Sequence, residues 1–339
     1  MKKIVFLMSI AFAAVIASGL SSCQKQVSNP STIGIAVAKA NLTVGLPGGL
    51  ALWVTEASIP YTDDFKNDKP IENQYVRGFS INRYGYALGT LITDGIEELN
   101  SVTKDLWQYD ASTNTWSKKA SFPGNALYLE FGSSFVIGDN AYVYTVDNHF
   151  YQYNQPANHW TTLTPPAGKI ERSNAAAFAV NGKGYFGLGM NESSGTVMSD
   201  FWQFNPSTNG WTFMHTFPGT PREGASCFAI DGKGYVVGGR TASASSVAVW
   251  QYDPTADHWT EMKNFPGPSQ YMAATGVGTV QGVDVGFIAA SEAWQYDPVD
   301  DGWVQLGRYP GSQNAPGGFV IQNGFYICSI GCVAYKWYN

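Results

Sequence analysis

The chain has 339 residues, 44% of them hydrophobic and 14% charged, with 37 Gly, 19 Tyr, 19 Phe, 11 Trp and a formal net charge of −6. Few charges with many aromatics and glycines fit an all-β protein rich in turns better than a helical one. No basic surplus is present to neutralise phosphates, which argues against nucleic acid as a partner.

Residues 1–22 read as an export signal rather than as part of the fold. Lys2 and Lys3 precede an apolar run from Ile4 to Leu20, which ends in small residues and not in a stop-transfer charge cluster. The junction Leu20-Ser21-Ser22-Cys23 resembles a bacterial lipobox, and that resemblance implies lipidation of Cys23 and a membrane anchor. Gln24 stands where an aspartate would resemble an inner-membrane retention signal, so the outer membrane is the expected address. Residues 23–48 are expected to form a flexible tether, and residues 49–339 the folded domain.

Within the domain one phrase recurs. It appears as Trp107-Gln108-Tyr109-Asp110, Tyr151-Gln152-Tyr153-Asn154, Trp202-Gln203-Phe204-Asn205, Trp250-Gln251-Tyr252-Asp253 and Trp294-Gln295-Tyr296-Asp297. Nine residues after each leading aromatic comes a tryptophan: Trp116, Trp160, Trp211, Trp259 and Trp303. The alternating aromatics read as a strand, the Asp/Asn, Pro and Ser/Thr cluster as a turn, and the second Trp as the start of the returning strand. Upstream lies a second hairpin, clearest where Asn181-Gly182 and Asp231-Gly232 supply strong hairpin turns. Four strands every 44–51 residues predict propeller blades.

The two ends of the domain are complementary halves. Ala334 to Asn339 reads as an aromatic third strand that then stops. Trp53 to Pro60 parallels Trp116 to Pro123, including the seven-residue step from Trp to Pro. The N-terminal strand is therefore expected to complete a sixth blade beside the C-terminal strand, with Trp53 as the ninth-residue partner of Trp337, leaving no open sheet edge. A glycine pair before an aromatic and then a Trp at fixed spacing resembles the kelch repeat. Gly238-Gly239 is the full pair, while Gly187-Leu188-Gly189 and Leu88-Gly89 are partial. The resemblance covers about residues 50–339 and implies an all-β, six-bladed kelch-type propeller.

The turns joining strands 1–2 and 3–4 of each blade share one face of such a disc and are stereotyped here. The 2–3 loops and inter-blade crossings share the other face and vary, which makes that face the expected binding surface. Candidates on it are Glu171, Arg172, Arg222, Glu223, Arg240, Gln270, Tyr271 and Asn314. Arg and carboxylate near the axis suit a sugar or acid ligand, although salt bridges between blades would use the same residues. Tyr61 to Gln74 is an insert without counterpart in the repeats, and either a lid or a plain surface loop fits it. Cys328 and Cys332 flank Ser329-Ile330-Gly331 at a hairpin tip, so a disulfide between them is within reach. Cys227 replaces Ala177 of the preceding repeat and reads as a small buried side chain.

The repeated tryptophans read as packing, and Asp297, Asp300 and Asp301 as turn chemistry rather than a Ca²⁺ site. The four histidines do not converge, and no phosphate loop, HExxH or nucleophile elbow is present. No metal or cofactor is expected, and a monomer is. These readings favour a non-catalytic module for a glycan or protein ligand. The alternative is a metal-independent sugar mutarotase or epimerase similar to the bacterial kelch sialic-acid mutarotases, with Glu223 or Glu171 as base and Arg222 or Arg172 binding the substrate carboxylate.

Overall fold

In the computed structural model, the described residues are 42–46, 49–57, 59, 76–92, 101–168, 171–269, 271–308, 317–322, 324–328 and 332–337. Cys23, the 61–74 insert, Gln270 and Asn314 lie outside them. The described residues form six antiparallel sheets of four or five strands, plus a small sheet of two-residue strands. Blade one comprises Val76–Ile81, Tyr84–Ile92, Leu106–Asp110 and Thr115–Lys118. Blades two to five repeat the pattern, starting at Ser133, Ala176, Ser226 and Ala274. The innermost strands touch in a ring that returns from blade six to blade one.

Blade six is built from both ends of the domain. Gly318–Ile321, Gly324–Cys328 and Cys332–Trp337 pair in turn, and Gly49–Glu56 adds beside the last of them. The register differs from the expected one. Trp53 faces Tyr335, whereas Trp337 faces Ala51. The other blades explain the shift: Trp116 faces Tyr109, and Trp259 faces Tyr252. Trp53 is thus the counterpart of Trp116, while the counterpart of the phrase-opening Trp is Val333, four residues earlier than the expected Trp337. Lys336 pairs with Glu56 across this seam, and Glu56 also accepts the Tyr109 hydroxyl of blade one at 3.3 Å. The domain begins earlier than the tether reading placed it, because Leu42–Leu46 pairs with Gly49–Leu52 and Trp53 as a fifth, outermost strand. The register sets Cys328 opposite Cys332.

Two devices bind each blade to the next. The first is a ring inserted over a missing side chain. A Cβ on Gly184, Gly234, Gly286 or Gly85 would lie 2.0–2.6 Å from the ring of Phe135, Phe178, Phe228 or Phe319 of the preceding blade. Glycine is needed there because an aromatic ring occupies the space of the side chain. At the junction of blades five and six the pair is exchanged. Gly276 takes the Phe position and Phe325 the Gly position, and Phe325 stacks on Phe287 at 5.5 Å.

The second device is a clamp at the 3–4 turn. Asn114 Oδ1 accepts both the Tyr109 hydroxyl and the main-chain N–H of Ala57 from the preceding blade, each at 2.8 Å. Trp116 Nε1 donates back to the Ala57 carbonyl at 2.8 Å. Asn158 repeats the arrangement with Tyr153 and Ala120, and Asp257 with Tyr252 and His215. Asp301 accepts from Tyr296 and Lys263, so it serves both the turn and the blade junction. These acceptors adopt φ of 46–52°, a left-handed conformation that Asn and Asp tolerate best among non-glycine residues.

Candidate functional site

Crossings enter the innermost strands at the variable face, and there the candidate residues separate. Arg172 is 3% exposed. Its Nη1 donates to the Leu188 carbonyl and to Asp200 Oδ1, both at 2.7 Å, and its Nη2 to Asp200 Oδ2 at 2.6 Å. Arg222, the same position one blade on, is 2% exposed. It donates to the carbonyls of Thr220 and Gly238 and to Ser246 Oγ, and burial lowers its pKa. Both arginines therefore hold the bend that ends the second strand of their own blade, where Leu188 and Gly238 are left-handed with φ of 57° and 68°. The glycine pair has its reason at the same bend. Gly189 and Gly239 have φ of 82° and 85°, and a Cβ there would lie 2.5–2.7 Å from the carbonyl oxygen of Ser173 or Glu223. Their side chains donate within their own blades, while the main chain ties each to the preceding one: Arg172 N–H donates to the Val146 carbonyl, and the Arg222 carbonyl accepts the N–H of Gly189.

Glu223, one residue further, does converge with other candidates. It is 3% exposed and accepts Arg240 Nη2 at 2.9 Å and Asn174 Nδ2 at 3.0 Å. Asn174 Nδ2 also donates to the Tyr271 hydroxyl oxygen at 3.0 Å, and that hydroxyl lies 3.5 Å from Glu223 Oε2. The Arg240 side chain is 57% exposed, and its guanidinium carbon sits 5.6 Å from the Tyr271 ring centre. Burial raises the Tyr271 pKa, the Glu223 charge adds to the rise, and Arg240 opposes it. Three main-chain bonds link the crossings of four successive blades: Asn174 N–H donates to Phe131, Gly224 N–H to Asn174, and Met272 N–H to Gly224. Glu171 is exposed and contributes its carbonyl to the N–H of Glu192, apart from this cluster.

Sequence reasoning missed Asn174, Arg77 and the exposed apolar group Leu127, Tyr128 and Phe131. Asn174 takes the position of Gly224 and Met272 in the other crossings, so no repeated identity marks it. The signal that was available is the segment Asn125 to Phe131, apolar residues that replace the polar crossings found elsewhere.

Residues 221–266, from Arg222's crossing to the end of blade four, match the kelch motif. This blade carries the full glycine pair and both tryptophans, and with the sheet topology the chain has a β-propeller fold with a kelch motif in its fourth blade. Among solved structures, one described as "Structure of YjhT" is similar with a TM-score of 0.58, covering 80% of this chain and 95% of that chain at 15% identity. Identity that low shows the fold alone. In all, 1231 solved chains match, a breadth that marks a widely used scaffold rather than an activity. No curated protein matches the sequence.

Proposed function

We propose that the chain is a lipid-anchored cell-envelope protein whose propeller is a non-catalytic module for a glycan or protein ligand. The ligand binds at the variable-loop face, around Glu223, Arg240 and Tyr271. The observation that carries this reading is the mouth cluster: a buried carboxylate fixed by Asn174, beneath an exposed arginine and a 40% exposed tyrosine ring. Such groups recognise hydroxyl-bearing rings and protein side chains alike. The sugar-enzyme reading keeps one favourable observation, the Glu223 carboxylate beside the Tyr271 hydroxyl. It must anchor a substrate carboxylate on Arg240, because Arg172 and Arg222 donate inward.

The test pairs a glycan array with an NMR assay of sialic-acid anomerisation. Glycan retention without rate enhancement supports the module. Rate enhancement that disappears in Glu223→Gln would replace it with the enzyme, and neither response would leave the protein ligand. Anchoring is tested by labelling with an alkyne fatty acid. Cys23→Ser is expected to abolish the label, and a label that persists would remove the anchor from the proposal.

A further inference from the structure

The innermost strands carry small residues at one equivalent position: Gly78, Ser134, Ala177, Cys227, Thr275 and Gly318. A Cβ on Gly78 would lie 2.6 Å from the Gly318 carbonyl oxygen, so the strands approach closely there. All six line a cavity of about 140 Å³ on the axis. A cavity of that size takes a molecule of about six heavy atoms.

The lining contains no carboxylate and one cation, Arg77. Arg77 donates from Nε to the Leu129 carbonyl at 3.2 Å and from Nη2 to the Glu130 carbonyl at 2.7 Å, both neutral acceptors. Burial pulls its pKa down to about 10, and Glu130, the acid that opposes this, lies outside the lining. A dehydrated guanidinium bonded to neutral acceptors still favours an anion. Ser133, Ser134, Ser226, Thr275 and Asn174 make the lining largely polar, and Ala175, Ala225, Ala273 and Met272 give it an apolar patch.

We propose that the axial cavity binds a short-chain monocarboxylate, its carboxylate on Arg77 and its alkyl tail against Ala175, Ala225 and Met272. One cation balances one negative charge, whereas a dianion such as phosphate would bring surplus charge into a site without a second cation. Cavity size limits the acid to about four carbons. This site shares Asn174 with the mouth cluster, but neither Arg77 nor the ring of small axial residues belongs to that cluster, so each proposal is tested by its own variants.

The test is calorimetric titration of the purified chain with butyrate, its neutral isostere butyramide, and inorganic phosphate. Butyrate is expected to bind saturably at one site, with butyramide and phosphate at least about tenfold weaker. Arg77→Met is expected to weaken butyrate by about tenfold or more. Because Arg77 also holds the Leu129–Glu130 turn, Thr275→Leu serves as the second variant. It narrows the cavity, leaves Arg77 in place, and should keep acetate while losing butyrate. The proposal is overturned by absence of butyrate binding to the folded chain, by equal binding of butyramide, by tighter binding of phosphate, or by undiminished butyrate binding in Thr275→Leu.

Discussion

The two faces of the disc obey different rules. At the 3–4 turns the blades repeat one solution: a left-handed Asn or Asp holds its own Tyr and the preceding blade, and a Trp reaches back. Blade three has Phe204 in place of the Tyr, yet Asn209 keeps the same backbone with φ of 51°. At the crossings, equivalent positions hold Glu130, Ser173, Glu223 and Tyr271: the last two join one cluster, while Ser173 Oγ is buried without a hydrogen-bond partner among the described residues. Uniformity marks the face where every blade meets the same packing problem. Variation marks the face released from it, and there a buried carboxylate is fixed beside exposed groups.

This contrast can be broken at the scaffold first. Removing residues 1–56 deletes the outer strands of blade six and the Lys336–Glu56 pair. The chain is expected to lose its cooperative unfolding transition by circular dichroism, and a retained transition would sink the closure argument. Next comes Arg172→Met, which strands Asp200 beside a buried bend. It should cost about 3–5 kcal/mol in denaturant unfolding, and a loss under about 1 kcal/mol would mean that the pair is screened as surface pairs are. Gly234→Ala drives a Cβ to 2.0 Å from the Phe178 ring. A cost of about 1–3 kcal/mol is expected, and a neutral result would mean that the ring turns aside.

The smallest effect concerns pH. Burial works against the Asp257 charge, but hydrogen bonds from Tyr252 and His215 outweigh it and hold the carboxyl below its ordinary pKa. A carboxyl depressed in the folded state adds stability that is present above its unfolded pKa of about 3.9 and is lost as pH falls through the folded value. Asp257→Asn should therefore flatten the acid limb of the stability profile and leave its shape near neutrality unchanged. An unaltered acid limb would show that this carboxyl does not titrate on unfolding.

The fold was legible because its determinants repeat. The nine-residue step between aromatics reports a cross-strand contact that every blade needs, and repetition separates it from chance. The register of blade six was misread because Trp337 attracts the alignment while Val333 holds the equivalent position. The site was only partly legible. Arg222 and Glu223 are adjacent in sequence, yet one turns into the blade and the other joins the mouth cluster, and no composition rule separates them. Asn174 and Arg77 occur once each at their positions, so periodicity is silent about both.

The central claim is that ligand recognition resides at the mouth and not on the stereotyped turns. It is tested most directly by the glycan array with two double variants: Arg240→Ala/Tyr271→Ala at the mouth, and Lys233→Ala/Asp253→Ala at the half-buried turn pair, 2.5 Å apart. The account predicts that the mouth variant loses the retained glycans while remaining folded, and that the turn variant keeps them. Retention that survives the mouth substitutions, or that disappears with the turn substitutions, would contradict it.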